Sequence, residues 1–160
     1  MKYFFGVMNM TAKTAGKVNA DTEKLIRECG SGTKMAVKSI DEVLDGVKDG
    51  ELKKLLLKSK EEHDSLKDGI KGMLEKYALE EKEPDTMAEA MSWLKINVKM
   101  MAGGSDKTIA GLMSEGCAMG IRSICGFINE CQKAEDEAKD TAKRLVELES
   151  ALERDLRKFL

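Results

Sequence analysis

Hydrophobic residues recur along this sequence at intervals of three and four positions rather than two. An α-helix places such positions on one face, because it completes a turn every 3.6 residues. The pattern therefore predicts an all-α protein, in which the helix predicted at 51–81 extends about 45 Å. The stripe of that helix is the clearest in the chain and consists of Leu52, Leu56, Ser59, His63, Leu66, Ile70, Met73 and Tyr77.

Apolar stripes along the whole sequence predict four long helices, including the one at 51–81, and one short helix. Asp49-Gly50 and Pro84 are residue types that end or interrupt helices. A turn is expected near 129–132, because one continuous helix over 105–160 would be about 80 Å long. The long helices are predicted at 21–48, 51–81, 105–130 and 133–160, and the short helix at 86–101.

The first long helix has two features that bear on its start and its continuity. Asp21 is the expected N-cap, since its carboxylate can accept hydrogen bonds from the first turn. Gly30-Ser31-Gly32 indicates either a kink or a new helix with Ser31 as its cap. Beyond that segment the predicted apolar stripe resumes at Ala36.

The short helix predicts how the long helices are connected. A helix over 86–101 travels back about 24 Å, so the third long helix begins where the second began. The second and third long helices then run parallel and are joined by a crossover, which is the ferritin-like connection. The expected fold is a ferritin-like four-helix bundle over 21–160, preceded by an N-terminal arm over 1–20.

In helix number, length and crossover, 21–160 resembles the ferritin-like superfamily. The segments IAGLMSEGCAMGIRSI (109–124) and KRLVELESALERDLRKFL (143–160) also look similar to uncharacterised helical proteins of anaerobic bacteria. The metal centre of that superfamily needs two Glu-x-x-His pairs and two further Glu. Here His63 is preceded at that spacing by Lys60, and the last helix has no histidine. The resemblance therefore implies no di-iron activity.

Composition excludes several classes of protein. The chain has 160 residues, 27 basic and 29 acidic side chains and one histidine. The balanced charge disfavours nucleic-acid binding, and no apolar run approaches the ~20 residues of a membrane span. A single histidine excludes every multi-histidine metal or catalytic signature. No Cys-x-x-C pair occurs, so reduced cysteines in a cytoplasmic protein are expected at Cys29, Cys117, Cys125 and Cys131.

The predicted helix levels bring several polar side chains to the middle of the bundle. One layer is expected to contain Ala36, His63, Cys117 and Leu148. Imidazole, thiolate and carboxylate groups suit a transition metal such as Fe, Mn or Zn. The alternative is a packed layer in which one carboxylate or carbonyl satisfies the histidine and the flanking glutamates face water. The candidate metal ligands are Glu62, His63, Glu115, Cys117 and Glu149.

Two other patterns concern packing. Gly111, Gly116 and Gly120 predict close approach of a neighbouring helix to the third long helix. The chain has 11 Met but only one Trp, two Tyr and four Phe. The methionines are expected to fill the core, although those at the short helix, Met87, Met91 and Met101, suit an adaptable binding surface as well.

No catalytic constellation occurs, so we expect a noncatalytic protein that acts by self-association, as a homo-oligomer, or by binding a partner. No cofactor is expected. One alternative is a divergent ferritin-like metal protein built around His63. Another is attachment to a membrane surface or partner through the arm, which has three Lys, no acidic residue, and the aromatic run Tyr3, Phe4 and Phe5. The arm is otherwise expected to cap its own core.

Overall fold

The described part of the chain is helical. The computed structural model describes residues 17–83, 87–100 and 105–160, and none of these residues forms a strand. The all-α prediction is confirmed, as are the four long helices and the short helix between the second and third. The helices are α1 (Ala20–Leu44), α2 (Gly50–Lys76), α3 (Met87–Met100), α4 (Asp106–Glu130) and α5 (Asp136–Leu156), followed by a 3-10 turn (Arg157–Phe159).

Some of the predictions from the sequence concern residues outside the described ranges. Most of the predicted arm, residues 1–16, lies there, and so does Pro84. The docking and capping hypotheses for the arm therefore stay predictions. Across the residues described, no helix combines the length and the apolar character that a membrane span requires.

Contacts at the two ends of the bundle define the direction of each helix. At one end, the backbone N–H groups of Lys48 and Asp49 donate to the carboxylate of Asp106, at 2.8 and 3.0 Å. At the other end, Lys76 lies 3.0 Å from Glu137. The starts of α2 and α4 are therefore at the same end, and the two helices run in the same direction. The segment containing α3 makes the crossover between them.

Two apolar clusters fill the interior, one towards each end. On α2, Ile70 belongs to the first cluster and Leu56 to the second. On α5, Leu145 belongs to the first cluster and Leu152 to the second. The side chain of His63 lies between them. Buried members of the first cluster are Leu25, Ile26, Cys29, Ile70, Met73, Leu74, Ile124, Cys131, Ala134, Ala138, Ala142 and Leu145. Those of the second are Ile40, Val43, Leu52, Leu56, Leu94, Ile109, Ala110, Leu112, Met113, Cys117, Leu152 and Leu156.

The glycine-rich segment of α1 does not break the helix. The helix runs unbroken from Ala20 to Leu44, so neither a kink nor a new cap at Ser31 is needed. A Cβ added at Gly32 would meet Ile124 and Leu145, both at 3.5 Å, so this part of α1 packs directly against α4 and α5. The continuing stripe also differs, since Val37 is buried and Ala36 is only half-buried.

The N-cap of α1 is Asn19 and not the predicted Asp21. The Asn19 side chain accepts a hydrogen bond from the N–H of Thr22 at 2.9 Å. Asp21 instead accepts from the N–H of Lys133 at 2.8 Å, in the turn between α4 and α5. That turn was expected near 129–132, and it is confirmed by the gap between the two helices.

The second long helix ends five residues earlier than its predicted end at residue 81. Ala78 has a φ of 53°, which is left-handed backbone, and this conformation stops the helix after Lys76. The N–H of Leu79 donates to the carbonyl of Leu74 at 2.8 Å, and that of Ala78 donates to Glu75 at 3.2 Å. This is a Schellman motif, which satisfies the last carbonyls of α2.

We expect Ala78→Gly to raise the free energy of unfolding by about 1 kcal/mol. A left-handed conformation is strained for alanine by about 1–2 kcal/mol, and glycine removes the strain while losing part of that gain as chain entropy. Denaturant unfolding measures the change. Ala118→Gly is the control, because Ala118 is exposed inside α4, where glycine should lower stability by about 1 kcal/mol. Equal losses from both substitutions would contradict the prediction.

Candidate functional site

The first candidate site is a buried polar layer around His63 on α2. The His63 side chain has no solvent exposure. Its Nδ1 lies 2.8 Å from the carbonyl oxygen of Ser59, one helical turn earlier, and 3.3 Å from the Ser59 hydroxyl. A carbonyl oxygen only accepts, so the proton sits on Nδ1. In the neutral imidazole, Nε2 then presents a lone pair.

Glu149 on α5 faces that nitrogen. Its Oε1 atom lies 3.4 Å from His63 Nε2, which is an ion-pair distance, although Nε2 makes no hydrogen bond. Glu149 is only 7% exposed. A Cβ added at Gly120 would lie 3.6 Å from the carboxyl carbon, an ordinary van der Waals distance, so Gly120 on α4 packs directly against this carboxylate.

The pKa of His63 is raised above its ordinary value. Burial acts to lower it, since charging a buried group loses solvation. Glu149, the Ser59 carbonyl and the charge of Glu62 together raise the pKa by more than burial lowers it. The layer therefore favours the protonated form of His63, with the Glu149 carboxylate as the nearby opposite charge.

Cys117 on α4 completes the layer but is not a reactive thiol. Burial raises its pKa far above the ordinary value, and the adjacent Glu149 raises it further. A nucleophilic cysteine needs the opposite shift, because the thiolate is the reactive form. The thiol therefore stays protonated.

Three of the five predicted ligands meet, and two lie outside the layer. His63, Cys117 and Glu149 are buried together, whereas Glu115 is exposed and Glu62 is half-buried beside His63. The expectation that glutamates flanking the stripe face water was wrong for Glu149. Its carboxylate is buried between His63 and Gly120, and His63 can supply a positive partner.

The layer around His63 does not form a cluster of metal ligands among the described residues. Within the described ranges, no group of three or more His, Cys, Asp or Glu side chains is arranged to hold one. The arrangement instead pairs one buried imidazole with one buried carboxylate. Buried ion pairs of this kind impose a specific packing more than they add stability.

The glycine pattern of α4 is explained only at one position. Gly120 lies against Glu149, whereas a Cβ added at Gly111 or Gly116 would meet nothing within 4 Å. The prediction that a neighbouring helix packs closely against all three glycines was therefore wrong. The reason is that Gly116 lies on the exposed side of α4.

The second candidate site is the outer face of α3, which we define as Glu89, Trp93, Ile96 and Lys99. Trp93 is 50% exposed and Ile96 is 54% exposed, and they are neighbours because they are three positions apart on a helix. Leu94 faces inward and is 5% exposed. The bundle thus covers one side of α3 and leaves two large apolar side chains on the other.

Charged residues lie at both ends of this outer face. Glu89 is in the first turn of α3 and Lys99 in its last turn, and both are exposed. Neither forms an ion pair within the part of the chain that is described. Lys95, on the flank of the helix, lies 3.7 Å from Glu42 of α1. The outer face is therefore acidic at one end, apolar in the middle and basic at the other.

Sequence reasoning missed this face. The methionines of the short helix were expected to fill the core, with an adaptable surface as the alternative. Met91 is half-buried in the second cluster, whereas Met101 and the side chain of Met87 lie outside the described part of the chain. A helix with apolar residues on every side is expected to be buried all round. A short crossover helix on the surface of a bundle can bury only one side. Apolar residues on every side of a helix predicted to be a crossover were therefore the sequence signal for an exposed apolar face.

Fold and sites together define an all-helical protein with a buried polar layer in its core and an exposed apolar patch on α3. A solved structure with a similar fold is the crystal structure of a DUF305 fragment from Deinococcus radiodurans, with a TM-score of 0.69 and 11% sequence identity. The match covers 88% of this chain and 95% of that one. No family model and no curated protein matches the sequence. At this identity the likeness concerns the fold alone.

Proposed function

We propose that this protein acts by association with a second copy of itself through the outer face of α3, and not by catalysis. The observation that supports this is the adjacent exposure of Trp93 and Ile96. Exposure of neighbouring large apolar side chains to water is unfavourable, so burying them in an interface is favourable. Aromatic residues are also enriched among the residues that contribute most to the binding energy of interfaces.

A second copy is the occupant that the charges favour. The outer face has Glu89 at one end and Lys99 at the other, so it is complementary to itself when one copy is turned around. Self-complementarity is what a symmetric homodimer interface requires. A helix of this length offers a small interface, so we expect a dissociation constant on the order of micromolar.

The buried layer supports the noncatalytic part of the proposal. Its thiol is held protonated and its imidazole is enclosed, so neither group reaches a substrate. Among the described residues, the other large apolar side chains that are exposed lie apart from one another, Leu57 on α2, Met119 on α4 and Leu160 at the last position of the sequence. Single exposed apolar residues are ordinary on protein surfaces.

We expect Trp93→Ser/Ile96→Ser to weaken self-association by at least about 30-fold, since each residue of an interface centre contributes about 2 kcal/mol or more. Sedimentation equilibrium across the micromolar range measures it. Leu57→Ser is the control, because it removes an exposed apolar side chain from α2 and should change nothing. A wild-type protein that stays monomeric throughout the range would contradict the proposed function.

The finer assignment of the architecture is also a proposal. We place the chain in the ferritin-like class, supported by the parallel direction of α2 and α4 and by the crossover that contains α3. The four cysteines are all free thiols, which supports a cytoplasmic location. Determining the structure of a relative with higher sequence identity tests the class, and a different helix connection there would exclude it.

A further inference from the structure

We infer that α3 pairs with α3 of a second copy in an antiparallel arrangement, about a two-fold axis that passes between Trp93 and Ile96. In this arrangement Glu89 of each copy faces Lys99 of the other. The inference rests on the proposed function, since it specifies the geometry of that interface.

The spacing of the residues fits such an axis. The rise of an α-helix is 1.5 Å per residue, so an axis midway between Trp93 and Ile96 lies about 2 Å from each along the helix. Antiparallel pairing then brings Trp93 of one copy level with Ile96 of the other. The same operation brings Glu89 to within about one residue of the level of Lys99, which the long lysine side chain spans.

A parallel pair is disfavoured by the same charges. It would put Glu89 against Glu89 and Lys99 against Lys99, and like charges that face each other are destabilising. It would also align the two helix dipoles, whereas the antiparallel pair opposes them. The antiparallel pair gives each end of the outer face an opposite charge and shields both apolar residues.

The alternative sites in the fold do not offer a comparable surface. The depression beside the start of α1 is lined by Glu23, Arg27, Glu28 and Lys82. Its cations already form ion pairs, Arg27 with Glu23 and Lys82 with Glu28. An added ligand there would have to displace an existing charge partner.

Charge reversal tests the register. At low ionic strength, Glu89→Lys or Lys99→Glu alone should weaken self-association on the order of 10-fold, because each places two like-charged pairs across the two-fold axis. Sedimentation equilibrium measures the change. The double variant Glu89→Lys/Lys99→Glu should restore the wild-type dissociation constant, and an equimolar mixture of the single variants should associate as tightly as the wild type.

The double variant is a strict comparison. Each substitution places a charge unfavourably at an end of α3, and the double variant keeps both local effects. Recovery of association therefore has to come from the contact between copies. Glu61→Lys makes the same charge change on an exposed position of α2 and should leave association unchanged.

Two results would overturn the inference. In a parallel pair, a single reversal replaces one like-charged contact by another, so association would stay the same. A double variant as weak as the single variants would exclude any direct contact between the two residues. Either result, in a wild type that still dimerises through Trp93 and Ile96, rejects the register and leaves the proposed function standing. A monomeric wild type rejects both.

Discussion

Replacing His63 by leucine is expected to lower the free energy of unfolding by about 3–5 kcal/mol near neutral pH. The substitution leaves Glu149, which is 7% exposed, without the partner that lies 3.4 Å from its Oε1 atom. A buried carboxylate without a positive partner must protonate or move into water, and both are unfavourable. Denaturant unfolding at a fixed low protein concentration measures the loss.

The double variant His63→Leu/Glu149→Leu is the matched control. Replacing both members of a buried ion pair by apolar residues is often neutral or stabilising. Most of the stability lost in His63→Leu should therefore return in the double variant. If His63→Leu and the double variant were both near wild type, the pair would make no energetic contribution, which would contradict the prediction.

The pH dependence of stability gives an independent control on the same pair. The pKa of His63 is raised in the folded protein, so the folded state holds the proton more tightly than the unfolded chain. The stabilisation is full below the unfolded pKa of about 6.5 and is lost as the pH rises through the folded pKa. His63 is the one histidine in the sequence. Stability should therefore fall above about pH 6.5 in the wild type, and the double variant should lack that slope.

The second large effect is expected in the apolar core. Leu56→Ala should lower the free energy of unfolding by about 2–5 kcal/mol, because Leu56 is completely buried in the second cluster and its truncation leaves a cavity. The adjacent residue is the control, since Leu57 is 41% exposed on the same helix. Leu57→Ala should lower stability by less than about 1 kcal/mol.

Thermal and denaturant unfolding both measure this difference. Both substitutions replace a leucine by alanine at adjacent positions of the same helix, so the main difference between them is the burial of the side chain. Similar losses at the two positions would contradict the orientation assigned to α2, and with it the facing of His63 into the bundle, since His63 follows Leu56 on the same side of the helix.

The number and type of elements could be predicted because each long helix buries one continuous apolar stripe. Periodicity of 3.6 in a sequence with one proline leaves little alternative to helices. The stripe through Leu52, Leu56 and Ile70 is the buried side of α2. The crossover was also predictable, because helix length and the position of Pro84 constrain where α4 can start.

Helix ends were predicted less well because they depend on local hydrogen bonds that apolar patterns do not encode. Ala78 adopts a left-handed conformation that glycine more often supplies. Asn19 caps α1 and releases Asp21 to bind the turn at Lys133. Both outcomes depend on contacts with residues remote in the sequence or on backbone geometry.

The two candidate sites were missed in part for related reasons. A pattern of apolar positions assigns a glutamate to water, yet Glu149 is buried where it faces His63 and packs against Gly120. Trp93 was assigned to no site from the sequence, and it is half exposed because only one side of α3 contacts the bundle. Each case requires knowledge of which side of a helix has a neighbour.

The central claim is that Trp93 and its face become covered by a second copy of the chain. Trp93 is the one tryptophan in the sequence, so quenching of its fluorescence by acrylamide reports directly on that surface. We expect acrylamide to quench Trp93 strongly in dilute protein, and the quenching to decrease as the protein concentration rises through the micromolar range. Quenching that is the same at every concentration would contradict the claim.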